Sequence, residues 1–298
     1  MSRRKQLGAL VLALVVSLLV SGGALAGDFP VKVGTVSLDR KPVRIVSLSP
    51  TATEMLFAIG AGKQVVAVDD QSNYPASAPR TKLSGFTPNV EAIAKYQPDL
   101  VVGEAGLSKL AGSFEAVGIP LLVEPSAPSL ADAYGQILQL GQATGHRGAA
   151  AALVARMKAQ IAAIVKTVPK GHAAITVYHE LDPTYYSATS KTFIGRIYAL
   201  LGLKNIADAA DKTGSGYPQL SAEYIVAASP QLIVLADTKC CGQTPASVAK
   251  RPGWGTIAAV KDGDVVGVSD DVASRWGPRI VDFMRQIAAK VRATGSTG

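Results

Sequence analysis

Two short runs of β-branched residues, VRIVSLS (43–49) and QVVAV (64–68), flank a stretch in which Met55, Leu56 and Ile59 recur at helical spacing. Continuous apolar runs of four to eight residues fit buried strands, and spacings of three and four fit one face of a helix. Thr51 and Glu54 stand at capping-box spacing just ahead of that face. The segment therefore predicts strand, helix, strand. The alternation continues with a helix from about Val90, a strand at DLVVG, a helix around Ser108 to Val117, a strand at PLLVE and a helix from about Leu130 to Leu140. Strands that alternate with helices imply a mostly parallel sheet covered on both faces.

From Arg147 to Val168 the rhythm changes. Leu153, Met157, Ile161, Ile164, Val165 and Val168 fall three and four apart among eight alanines, and Pro169 and Gly171 close the run. At ~1.5 Å per residue this single helix is about 33 Å long, the width of a small domain, and it can join two domains side by side. Beyond it the alternation restarts with a strand AITVY (174–178), a helix from about Thr192 to Leu201, a helix from Ser221, strands QLIVL (231–235) and DVVGV (264–268), and a closing helix from about Pro278 to Val291. The pattern predicts an α/β protein with two Rossmann-like lobes, residues 27–143 and 170–298, joined by a helix within 144–169.

One phrase occurs twice. NVEAIAKYQPDLVV begins at Asn89 and returns 132 positions later as SAEYIVAASPQLIVL from Ser221, while FAIGAGKQVV (57–66) resembles YALLGLKNIA (198–207). Asn89 and Ser221 are favoured N-cap residues, each glutamate falls two positions later, and each proline closes the helix before a buried strand. Glu91 and Glu223 thus occupy equivalent corners. A carboxylate there gains ~0.3 to 1 kcal/mol against the helix dipole, or the two form a symmetric pair of docking charges.

Composition narrows the class. The chain of 298 residues is 48% hydrophobic and 17% charged, which is globular. Its start carries Arg3, Arg4 and Lys5 ahead of an apolar run from Leu7 to Val20 and then Ala24-Leu25-Ala26, the three-part layout of a secretory signal, so residues 1–26 are expected to be removed and the mature protein to be periplasmic or secreted. No cysteine follows the run, which argues against a lipid anchor. Cleavage takes the net charge from +8, on 30 basic and 22 acidic residues, to +5. The basic residues are scattered, so nucleic acid is a poor partner. The only cysteines, Cys240 and Cys241, are neighbours. Adjacent Cα atoms are ~3.8 Å apart, below the usual disulfide range, so they cannot staple distant segments.

The combination RIVSLSPTATEMLFAIGAGKQVVAV, NYP, GFTPNVEAIAKYQPDLVV, the long helix, YPQLSAEYIVAASPQLIVL and SRWGPRIVDF resembles the helix-backbone class of periplasmic substrate-binding proteins, the soluble partners of ABC importers for cobalamin, haem and ferric siderophores. The resemblance runs from about Val43 to Val291. It implies two lobes enclosing a ligand, little closure between them, action as a monomer, and a permease with its ATPase as partner, met by Glu91 and Glu223. Ligands of open α/β sheets sit at the strand ends, and the loops there carry Tyr74, Phe86, Tyr185, Tyr186, Tyr217, Arg275 and Trp276 as candidate contacts. Flat apolar walls suit a large planar ligand. Phe86 and Tyr217 stand where a cobalamin-binding relative has tryptophans, so the resemblance favours a corrinoid, which brings its own cobalt ligands. A ferric siderophore would use Arg275, and haem would use Tyr178 or His179 as axial ligand. The loop KCCGQ (239–243) is expected to face the cleft, with Cys240 and Cys241 either a vicinal disulfide forming an apolar ledge or two free thiols.

Other readings are weaker. Ser247-Val-Ala-Lys250 and Lys212-Thr213-Gly214 resemble two elements of serine penicillin-recognising enzymes, but in reversed order, and no G-x-S-x-G is present; no catalytic residue and no enzyme activity are expected. A zinc or manganese site needs converging histidines, and the chain has only His146, His172 and His179, with no H-E-x-x-H or C-x-x-C. No metal ligand and no resident cofactor are expected.

Overall fold

The computed structural model describes residues 29–169 and 175–294; the signal-peptide reading of residues 1–26 lies outside them. The chain opens with β1 (Val31–Val33) and β2 (Val36–Leu38), an antiparallel hairpin that turns at Gly34 with φ +57°. The first lobe follows: β3 (Ile45–Leu48), α1 (Pro50–Ala58), β4 (Val65–Asp69), β5 (Arg80–Leu83), α2 (Val90–Ala94), β6 (Leu100–Gly103), α3 (Ala111–Ala116), β7 (Leu121–Val123) and α4 (Leu130–Thr144). Its five strands are all parallel, in the order β5-β4-β3-β6-β7. The 21-residue helix α5 (Arg147–Thr167) leads to the second lobe.

That lobe comprises β8 (Thr176–Glu180), α6 (Phe193–Leu200), β9 (Lys204–Asn205), α7 (Ala222–Ala228), β10 (Leu232–Leu235), α8 (Pro245–Ala249), α9 (Ala258–Lys261), β11 (Val265–Gly267), α10 (Asp270–Ser274) and α11 (Ile280–Thr294). Its four strands are again parallel, in the order β11-β10-β8-β9. The expected two-lobed α/β architecture is present. The apolar runs IVSL, LVVG and LIVL became central strands whose every residue is buried, as crossover helices on both faces require.

The helix α1 is capped differently from the capping-box expectation. Ser49 is the N-cap, its hydroxyl accepting from the Ala52 N–H, and Pro50 takes the first position, where its missing N–H costs nothing. Glu54 lies well inside the helix, only 3% exposed, and is free to bond elsewhere.

A tight turn places α4 against α5. Gly145 adopts φ +70° at the end of α4, and a side chain at Gly141 would put its Cβ 2.4 Å from that of Ala150. Helix α5 then packs on α4 and on α11. Among the described residues it is the helix apolar enough to cross a membrane by length and composition, yet Leu153, Met157, Ile161 and Ile164 belong to a core that also contains Leu56 and Ile137 of the first lobe and Phe283 and Ile287 of α11. The lobes are thus joined by shared apolar packing.

Candidate functional site

Loops beyond β7 of the first lobe and β8 of the second meet at one junction. A pocket of about 380 Å³ opens there, walled by Ser126 and Pro128 of the first lobe, Lys191 and Tyr217 of the second, and Trp276 of the segment before α11.

Phe86 and Tyr217 are held by matching local devices. Phe86 follows Gly85, where an added Cβ would lie 2.7 Å from the Leu48 carbonyl oxygen and 2.8 Å from an Asp69 carboxylate oxygen. Tyr217 follows Gly216, which has φ +82° and would bring a Cβ to 3.1 Å from Thr192 Cγ2. Gly85 thus lies against the ends of β3 and β4, and Gly216 against Thr192 at the start of α6, and an exposed aromatic follows each. Phe86 is 86% exposed and Tyr217 48%, a large apolar area to leave in water.

A few residues further on, Asn89 accepts from the Ala92 N–H at 2.8 Å and Ser221 from the Tyr224 N–H at 3.1 Å. These caps start α2 and α7, whose first turns carry the exposed Glu91 and Glu223. Its own backbone N–H and the Ser221 hydroxyl hold the Glu223 carboxyl below its ordinary range, so this side chain is charged at neutral pH.

The remaining candidates divide. Trp276 lines the pocket and donates its Nε1–H to Gln136 Oε1 at 2.7 Å, which fixes its ring. Tyr186 is 40% exposed and bridges to Gln219 beside Tyr217. Tyr185, at φ +71°, turns inward, its ring 5.7 Å from that of Trp254 and 5.4 Å from the Arg251 guanidinium; it is a packing residue of the second lobe. Tyr74 lines a different pocket, about 400 Å³, with its ring 4.2 Å beneath the Arg279 guanidinium.

Arg275 is not available to an anionic ligand. It is 8% exposed and donates to Glu54 (2.9 Å), Asn73 (2.9 Å), the Gln71 carbonyl (3.1 Å) and Asp271 (2.7 Å). Arg279 bonds the same Glu54 carboxylate at 2.8 and 2.5 Å. Sequence reasoning missed this lobe-spanning cluster because Thr51-x-x-Glu54 imitated a cap; the arginine pair Arg275 and Arg279 in SRWGPR was its visible trace.

The two haem-ligand candidates are likewise withdrawn from the cleft. Tyr178 and His179 are both fully buried in β8, because this strand is central and covered on both faces. His179 Nδ1 pairs with the Tyr198 hydroxyl at 2.6 Å, and burial lowers its pKa to about 3. Beside Tyr178, Glu180 forms a two-point ion pair with Arg251, 2.6 Å for each bond. Burial, and then the Glu180 carboxylate, raise the pKa of neighbouring Asp237.

Cys240 and Cys241 are joined as a vicinal disulfide, both exposed, after β10. Asp270 anchors their loop by accepting from the N–H of Lys239 (3.0 Å) and of Cys240 (2.8 Å). The ring lies outside the residues that wall the 380 Å³ pocket. The enzyme-like Ser247 is a helix cap: it completes a capping box with Thr244 at the start of α8. Among the described residues no group of three metal-ligating side chains converges.

Residues 45–272 match the periplasmic binding protein family. The chain belongs to that family. A cobalamin-binding protein of Halobacterium salinarum is 33% identical over 266 residues, 85% of this chain and 70% of the relative. An ABC transporter substrate-binding lipoprotein of Bacillus subtilis is also 33% identical, over 86% of this chain and 82% of its own length. A solved structure of a possible iron-binding periplasmic solute-binding protein from Staphylococcus epidermidis superimposes with a TM-score of 0.72 at 27% identity, covering 85% of this chain and 99% of the other. The chain is therefore a substrate-binding protein of the type that serves ABC importers.

Proposed function

We propose that this protein captures a corrinoid, cobalamin or a close relative, outside the cytoplasm and delivers it to the permease and ATPase of an ABC importer. The observation that carries this reading is the matched pair Phe86 and Tyr217, one exposed aromatic per lobe, each preceded by a glycine and each just ahead of a capped helix bearing a glutamate. Tyr217 walls the pocket of 380 Å³ and Phe86 lies outside it; two exposed rings, one on each lobe, suit a broad, flat ligand that extends beyond that pocket. The kinship with a cobalamin-binding protein supports the choice, and so does the burial of Tyr178 and His179, which leaves haem without the axial ligands proposed for it.

A ferric siderophore is the second reading. Lys191 lines the pocket and offers a cation where Arg275 does not, and the likeness to a possible iron-binding protein agrees with it.

Absorbance titration of the mature protein with cyanocobalamin, haemin and ferric hydroxamate and catecholate siderophores separates these ligands. Saturable binding of cyanocobalamin, weakened in Phe86→Ala and Tyr217→Ala, is expected; a response to a siderophore alone, lost in Lys191→Ala, replaces the first reading by the second. Docking is tested apart from binding. Glu91 and Glu223 are expected to meet basic groups of the permease, where complementary charge sets encounter and register. Reversing both to arginine should abolish uptake in cells that carry the cognate importer and leave ligand affinity as it was; normal uptake by the double variant refutes the docking role.

A further inference from the structure

A cavity of about 710 Å³ lies along the outer edge of the first lobe. It shares only the Ser126–Pro128 loop with the aromatic pocket. Its other walls are the edge strand β7, the hairpin turn at Gly34 and Thr35, and the face of α4 that carries Gly135, Gln136 and Gln139. The volume falls within the range of small-molecule sites, roughly 300 to 1,000 Å³.

One carboxyl group sets the chemistry of this space. Glu124, at the end of β7, is 4% exposed, and the Gln139 amide, with its nitrogen toward the carboxylate, reaches both oxygens at 3.2 and 3.3 Å. Among the described residues no lysine, arginine or histidine lines the cavity, and the only other charged residue there is another acid, Asp132. Burial without a cationic partner raises the Glu124 pKa to about 8. A buried carboxylate needs a partner of opposite charge, and the described residues that line the cavity supply none. The surrounding Leu121, Leu122, Val123 and Pro125 add an apolar wall.

We infer that this cavity is a second binding site, taking a small organic molecule whose primary ammonium group pairs with Glu124 and whose hydrocarbon part lies along β7. A charged hydrogen bond of this kind is about twice as strong as a neutral one. A bare metal ion is the poorer fit, since calcium takes roughly six to eight oxygens and the described residues hold no cluster of three ligating side chains.

The test is calorimetric titration of the mature protein with n-butylammonium chloride, and with butyramide as the uncharged comparison, at pH 6.5 and 8.5. n-Butylammonium is expected to bind, and to bind on the order of tenfold more tightly at the higher pH, because only the ionised carboxylate pairs with it. Glu124→Gln should remove the binding. Gly135→Leu should also remove it, since a side chain at Gly135 meets no atom within 4 Å and grows into open space, so that this variant keeps its fold while filling the site; thermal melts confirm the fold of both. Binding that survives both substitutions, a preference for butyramide, or no binding at either pH overturns the assignment.

Discussion

Phe86 and Glu124 sit on the same lobe and break opposite rules: one is apolar and bathed in water, the other ionisable and dry. Each departure has a measurable consequence. Fully burying a phenylalanine contributes ~1.5–3 kcal/mol, so Phe86→Ala should weaken the cleft ligand roughly ten- to hundredfold while leaving the melting temperature of the unliganded protein unchanged, because the ring is 86% exposed there. Tyr217→Ala should behave alike, with a smaller loss, since that ring is already half covered. For Glu124 the sign follows from the direction of its shift. Its pKa rises from 4.5 to about 8 on folding, so between those values the unfolded chain has released a proton that the folded protein keeps, and stability declines as pH climbs through that window. Glu124→Gln removes the titration; its melting temperature should exceed that of the parent by a margin that grows from pH 5 to pH 8.5. His179, lowered to about 3 by burial, acts in the other direction, and its contribution is lost as pH falls from 6.5 toward 3. Phe86, Tyr217 and Trp276 could be picked out as loop aromatics because each stands next to a glycine; their contact with a ligand is part of the proposal. Arg275, Tyr178 and His179 were misplaced because strand-end position says nothing of whether a side chain points to the cleft or back into the core.

At the scale of elements, what could be read and what could not follow the same physics. The central strands β3, β6, β8 and β10, the long α5 and the paired helices α2 and α7 were visible because burial on both faces, or a continuous helical stripe, leaves a compositional mark. The edge strand β5, RTKL, has no apolar run and is mostly exposed; β9 is two residues long; and the hairpin β1–β2 gains its place only by covering α4. These are held by neighbours, and neighbours are not written locally. The junction of α4 and α5 shows how little separates two elements that were legible singly from their packing. Ordinary contact of a Cβ begins near 3.4 Å, and Gly141→Ala would bring two methyl carbons to 2.4 Å. Alanine's better helix propensity offers at most ~1 kcal/mol, whereas overpacking of a close helix contact costs typically ~1–3 kcal/mol or more. The variant should therefore melt lower than the parent in a circular dichroism scan, and Gly135→Ala on the same helix, which meets nothing, should melt at or above it.

The whole molecule is restrained at three places around the cleft. Helix α5 joins the lobes through a shared apolar core, Trp276 ties the segment before α11 to Gln136 of α4, and Arg275 and Arg279 converge on Glu54 of α1 while Asn73 donates to Asp271 at 2.9 Å. A molecule held at these three places has no free hinge, so capture of a ligand should proceed with a change of only a few degrees between lobes, unlike proteins whose lobes swing on flexible strands. The arginine cluster is the restraint most open to test. Glu54 is nearly inaccessible, with side-chain exposure of 1%, and it neutralises two guanidinium groups that are 9% and 19% exposed. Removing one partner of a buried ion pair costs typically ~3–5 kcal/mol because the remaining charge is left without compensation. Glu54→Gln keeps the shape and one acceptor but not the charge, so the second lobe loses its electrostatic anchor to α1 while the α5 packing persists. Small-angle scattering of the parent should give the same radius of gyration with and without cleft ligand; in Glu54→Gln the unliganded protein should be larger and should contract on binding, with weaker affinity because part of the binding free energy then goes into ordering the lobes. A parent protein that contracts on binding, or a Glu54→Gln protein with unaltered dimensions, would show that the lobes are governed by α5 alone.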